Sequence, residues 1–229
     1  NLDAINDLSF ARNGNLLVAT NYFEKTEYSL NSVLLITPER EVKTLASWDS
    51  RNPETQMREL WSISANPETG LAVAYDKTDG KLISIDEDGK VSVLPNSFDF
   101  DTWVVLLDHA ADGTLYAIEV NEKGVNVGPL IERNIIRFDE NGNPVIITGF
   151  NHIGCCTAEN IAIAPDGTIY ALGFKLEGED MSLWRITNEG EKILLSDKLP
   201  IDPLSVAVDG EGNIFVACSA GLFRAWKEN

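Results

Sequence analysis

Positive charge is scarce in this sequence. In 229 residues, 18 Lys and Arg stand against 36 Asp and Glu, a formal charge of −18. Phosphate backbones are bound through clustered Lys and Arg, so nucleic acid is excluded as a partner, and anionic membrane surfaces are disfavoured for the same reason. No apolar run is long enough to span a bilayer, which argues against membrane insertion. The segment Asn1 to Phe10 has neither the basic start nor the apolar stretch of a signal peptide. Histidine and cysteine are almost as sparse, at two and three residues. Zinc therefore has too few soft ligands grouped together, and no disulfide framework can be drawn. Cys155 and Cys156 are neighbours, whereas Cys218 sits in an apolar strand where a buried thiol is expected. Cysteine usage leaves the compartment open; an extracytoplasmic or secreted location is the expectation. Sustained helical periodicity is missing as well.

What the sequence does contain is repetition. An apolar strand, a tight glycine turn and a second apolar strand return five times: LSFARNGNLLVAT, WSISANPETGLAVAY, LLDHAADGTLYAIE, IAIAPDGTIYALG and VAVDGEGNIFVAC. The turn glycines are Gly14, Gly70, Gly113, Gly167 and Gly212, at intervals of 43 to 56 residues. Between them lie SVLLITPEREVKTL, KLISIDEDGKVSVL, NIIRFDENGNPVII and SLWRITNEGEKILL, each a strand, a polar turn and a strand. Asp88-Gly89 and Asn141-Gly142 supply the positive φ of hairpin turns. Their acidic runs begin like a calcium loop but lack its twelve-residue pattern, so they read as hairpins. Strands this short cannot bury both faces alone, so adjacent sheets must stack around an axis. The expected fold is an all-β propeller of about five four-stranded blades forming one domain over 1–229. Its innermost strands begin near Asn6, Glu59, Val104, Glu159 and Leu204. The last blade supplies three strands, ending near GLFRAW, so closure at five blades and a sixth blade are both open.

IAIAPDGTIYALG and SVAVDGEGNIFVA resemble the NHL-repeat and gluconolactonase-like propellers, the superfamily of senescence-marker lactonases, diisopropyl fluorophosphatase and streptogramin lyase. The resemblance covers all five repeats and speaks for fold more than function, since these propellers host hydrolases, lyases, receptors and scaffolds. In lactonase-like members it implies a divalent cation, often calcium, at the axis on the top face. Its ligands are Glu, Asn and Asp at the strand entries. The matching positions are Asn6, with Asp7 beside it, Glu59, and Glu159, followed by Asn160. Blade 3 offers only Trp103 to Val105. Leu204 stands where the lactonase pattern has an acid, with Asp202 two residues upstream.

Carboxylates that converge on a narrow channel repel unless protonated or neutralised, and mixed carboxylate and amide oxygens suit calcium or magnesium. The alternative is that these side chains face a wide, wet channel. Loops joining second to third strands read as long at Asn21 to Asn31, Asn121 to Arg133 and Phe174 to Ser182. They wall a top-face pocket to which Tyr22, Phe23, Tyr28, Trp103 and Phe174 give aromatic surface. His109 falls on the bottom side, before the Asp112-Gly113 turn. His152 lies in the loop entering blade 4, near Glu159, and a structural or exposed role is expected for it. Two functions follow. The first is a module binding a small molecule or a protein on its top face. The second is a metal-dependent hydrolase of lactones or related esters, in which Glu159 or Asp202 activates water.

Overall fold

The computed structural model describes residues 5–11, 13–23, 29–52, 58–97, 102–122, 130–153, 160–174, 181–199, 203–219 and 221–225. Every regular element among them is a β-strand. Blade 1 comprises β1 (Ile5–Phe10), β2 (Leu16–Phe23), β3 (Ser29–Ile36) and β4 (Val42–Asp49). Blade 2 comprises β5 (Leu60–Ala65), β6 (Ala72–Asp76), β7 (Lys81–Ile85) and β8 (Val91–Ser97). Blade 3 holds β9 (Thr102–His109), β10 (Leu115–Glu122), β11 (Leu130–Phe138) and β12 (Pro144–Ile153). Blade 4 holds β13 (Asn160–Ile163), β14 (Ile169–Phe174), β15 (Met181–Ile186) and β16 (Lys192–Ser196). Blade 5 has β17 (Pro203–Val208), β18 (Ile214–Cys218) and β19 (Gly221–Ala225). Each sheet is an antiparallel meander in chain order.

Local chemistry explains the meander. At the bottom turn of blade 3, Ala110 N donates to Thr114 O at 2.9 Å and Gly113 N to Ala110 O at 3.0 Å. Asp112 secures the turn by accepting from Thr114 N at 3.0 Å. Gly113 has φ 81°, a left-handed value that costs glycine little. The outer turns follow the same rule with Gly89, Gly142 and Gly190, but in blade 1 Arg40 takes that position with φ 68°.

The connections read as long loops are shorter than expected. β2 and β3 continue to Phe23 and from Ser29, with Asn21 paired to Asn31. β10 and β11 pair as far as Glu122 and Ile131, and β14 and β15 as far as Phe174 and Met181. Polar residues at these strand ends mimic loop composition, and only cross-strand pairing reveals them as strand.

The core is four apolar layers, each between consecutive blades. Leu17, Ala19 and Val33 of blade 1 meet Ile63, Ala74 and Ile83 of blade 2. Tyr75 and Leu82 then meet Leu107 and Ala117. Ile118 and Ile135 meet Ile161 and Ala171. Tyr170 and Leu172 meet Val206 and Val216. Non-directional burial thus stacks the blades, while polar groups on the innermost strands set their register.

Candidate functional site

Those polar groups line the axis. Asp7 on β1 accepts from Ile63 N at 2.9 Å and from the Ser62 hydroxyl at 2.6 Å. Ser62 Oγ in turn accepts from Leu107 N at 2.8 Å. In blade 4, Asn160 Oδ1 accepts from Val206 N at 3.0 Å and from the Ser205 hydroxyl at 3.2 Å. Blade 3 has Leu106 in this register, and Asp108, two residues on, accepts from Ile163 N instead. Each of these blades therefore reaches into the next through short polar side chains. Burial raises the pKa of Asp7 against the lowering effect of these bonds. Burial drives Asp108 further, up to about 7, with the nearby Asp7 charge adding to the rise.

Below this ladder, Ser9, Phe10, Ala65, Asp108, His109, Ile163 and Val208 line an open axial pocket of about 220 Å³ to which all five blades contribute. His109 lies on the bottom side as expected. Burial pushes its pKa down to about 4, so the imidazole is neutral at pH 7, with Nδ1 2.8 Å from Ser64 Oγ. A larger cleft of about 780 Å³ between blades 2 and 3 shares His109 and adds Asn66, Arg137 and Phe138.

At the top face, Asn6 Nδ2 donates to Leu60 O at 2.6 Å. Glu59 Oε1 accepts from the Trp61 indole at 2.8 Å and stands 3.9 Å from Lys77 Nζ, which lies 3.8 Å over the Trp61 ring. Trp61 and Lys77 were not anticipated. Leu204, at the entry of β17, is 61% exposed. Glu159, Asp202, Tyr28, Cys155 and Cys156 lie outside the described residues, as do the side chains of Tyr22, Phe23, Trp103, His152 and Phe174. Cys218 is buried on β18 as expected. Among the described residues, no group of three or more His, Cys, Asp or Glu is placed to hold a metal ion.

A second top-face feature was missed entirely. Asn21, Asn31 and Ser182 are buried, and their Asn21 Oδ1, Asn31 Oδ1 and Ser182 Oγ atoms have no hydrogen-bond partner among the described residues. All three sit at the top ends of second or third strands. Asn31 Nδ2 donates to Arg58 O at 2.5 Å. The Arg58 guanidinium pairs with the fully buried Asp76 and lies 3.7 Å from Asp79. Burial raises the Asp76 pKa while Arg58 opposes it. A buried acceptor without a donor is costly, and such groups gather where something else completes them. Sequence carries no signal for this, since each residue looks like an ordinary polar strand end.

The fold and its axial polar ladder define a five-bladed β-propeller. No protein-family model and no curated protein matches the chain. Solved structures do. A gluconolactonase from Xanthomonas campestris superposes with TM-score 0.62 at 14% identity, over 95% of this chain and 71% of that one. An auxiliary nutrient binding protein from Bacteroides thetaiotaomicron gives 0.60 at 12% identity, over 94% and 57%. Virginiamycin B lyase from Staphylococcus aureus gives 0.50 at 14%, over 100% and 86%. The chain thus spans little more than half the length of the nutrient-binding structure. At these identities the likeness is one of fold.

Proposed function

We propose that this chain is a binding propeller that takes a small, donor-rich polar ligand, such as a polyol or an amine, on its top face. The observation that carries the reading is a pair of buried oxygens, Asn21 Oδ1 and Asn31 Oδ1, on cross-strand neighbours of β2 and β3 at that face, which have no partner among the described residues. Acceptors of this kind are completed by hydroxyl or ammonium donors, and a net charge of −18 tolerates neutral or cationic partners. The fold match to an auxiliary nutrient binding protein agrees with this reading. Tyr22, Phe23, Trp103 and Phe174 belong to the same proposal as candidate aromatic contacts for that ligand.

The second reading is a divalent-metal hydrolase of lactones, favoured by the fold match to a gluconolactonase. A cation held by Asn6, Glu59 and Glu159 would polarise the carbonyl, with Glu159 or Asp202 as base. Two observations weigh against it. Glu59 is engaged with Trp61 and Lys77 and would have to leave them, and Leu204 stands at the fifth strand entry. Titrating glycerol, glucose and putrescine by thermal shift, beside assays of δ-gluconolactone hydrolysis with and without calcium, separates the two. A Tm rise with a polyol or amine, lost in Asn31→Leu, and no lactone turnover is the expected result. Calcium-dependent turnover abolished by Glu59→Gln overturns it.

A further inference from the structure

The outer parts of the blade junctions follow one pattern. In blades 1, 3 and 4 the pairing of third with fourth strand skips a single fourth-strand residue: Leu45, Ile147 and Leu195. Two of these bulges seat the outer turn of the next blade. A Cβ added to Gly89 would meet Leu45 O at 2.1 Å, and one added to Gly190 would meet Ile147 O at 2.1 Å. A lysine straps each of the same junctions. Lys43 Nζ donates to Glu87 O across blades 1 and 2, and Lys192 Nζ to Gly149 O at 2.8 Å across blades 3 and 4.

The junction of blades 2 and 3 departs from this pattern. Ile83 pairs with Val93 and Lys81 with Ser97, so Leu94, Pro95 and Asn96 all stand against Leu82. Pro95 has no N–H to give the ladder, and an enlarged bulge bends its strand. Neither strap can form here. Lys43 stands in the second pair from its outer turn, where blade 2 has Ser92. Lys192 stands in the first pair, where blade 3 has Pro144. The cleft of about 780 Å³ opens at this junction, in the size range of small-molecule sites. It adjoins a mainly apolar recess of about 290 Å³ lined by Leu82, Leu94, Pro95, Leu115 and Phe138.

The cleft carries charge of both signs. Arg137, exposed on β11, makes no ion pair among the described residues. Asp112, Asp139 and Glu140 line the same cleft. Donors from Thr114 and Asn143 lower the pKa of Asp112 and Asp139 and hold both as carboxylates at neutral pH. We infer that this cleft binds a free α-amino acid with a large apolar side chain. Arg137 takes the carboxylate as a charge-assisted fork, the acidic residues take the ammonium, and the recess buries the side chain. Charge complementarity selects the zwitterion. A plain carboxylate meets three acids, and a plain amine meets Arg137 with nothing to pair it. The cleft lies among the bottom turns, so this inference does not rest on the top-face reading.

Calorimetric titration and amide NMR with L-phenylalanine and L-leucine test this, beside 3-phenylpropionate, 2-phenylethylamine and glycine, each of which lacks one of the three groups. The expected result is saturable binding of both amino acids below about 10 mM, with the three analogues weaker by about tenfold or more. The amides of Leu115, Arg137 and Phe138 should shift on binding. Arg137→Gln, at an exposed position, should keep Tm and weaken phenylalanine by about tenfold or more, and Arg137→Lys should restore part of the loss. Asn31→Leu should leave this binding unchanged. No saturable binding of either amino acid overturns the proposal. So does equal binding of phenylalanine and 2-phenylethylamine, or of phenylalanine before and after Arg137→Gln, because the guanidinium then holds no carboxylate. Shifts confined to Asn21 and Asn31 overturn it as well, since the ligand then sits at the top face.

Discussion

Asp7 in blade 1 accepts a 2.9 Å hydrogen bond from the backbone nitrogen of Ile63 in blade 2. One carboxylate thus ties two sheets whose remaining contact is mostly apolar. Asp7→Ala leaves Ile63 N and Ser62 Oγ short of a partner and should cost about 1–3 kcal/mol, as for other buried donors left unmade. Asp7→Asn keeps an acceptor and should cost less. Urea unfolding of the two variants checks the ordering.

Asp108 makes stability depend on pH in an unusual direction. Its folded pKa of about 7 lies above the unfolded carboxylate value near 3.8, so the native state binds the extra proton. Its contribution is full below about pH 4, declines as pH rises and is lost by about pH 7. Asp108→Asn should therefore raise Tm by several degrees at pH 8 and change it little at pH 4.5. Equal shifts at both values would show that the group titrates normally.

The exposed turn aspartates act oppositely. In Asp139 and Asp209, hydrogen bonds from the Asn143 and Asn213 side chains, with backbone donors, lower the pKa. Their contribution is present above the unfolded value near 3.8 and lost as pH falls through the folded one. Thermal melts at pH 3 should fall below those at pH 5, with Asp139→Ala and Asp209→Ala each blunting that drop.

Arg40 occupies the left-handed position that Gly89, Gly142 and Gly190 hold in the other outer turns. Arg40→Gly should stabilise the protein by up to about 1 kcal/mol, since it relieves the left-handed strain of a side-chain residue. Gly190→Ala does the reverse, because its Cβ would come within 2.1 Å of Ile147 O in the neighbouring blade. Chemical denaturation of both variants tests the opposite signs.

Asn31 should show whether the top-face oxygens serve a ligand or only the fold. Asn31→Leu removes both the unpartnered acceptor and the bond to Arg58 O. A ligand role predicts lost Tm response to polyols or amines with a folded circular dichroism spectrum. A loss of fold in Asn31→Leu, with no ligand response in the parent, would make the residue structural.

The architecture was legible in the sequence because it rests on local, repeated chemistry. Gly113 and Gly167 sit in bottom turns at positive φ, Gly89 and Gly142 in outer ones, and the strands between them alternate as their burial requires. The expected entries at Asn6 and Leu204 fall inside strands that begin one residue earlier. Arg40 escaped because nothing in its own type announces a left-handed turn. The site was far less legible. Whether Glu59 faces a cation or Trp61 and Lys77, and whether Asp7 faces solvent or Ile63 N, depends on side chains that lie apart in sequence. Leu8 and Ile63 occupy equivalent places in the repeat, and the sequence reads them alike. Only stacking in three dimensions decides that one is buried against a neighbouring blade and the other is not, because burial belongs to the pair of surfaces and not to either strand alone.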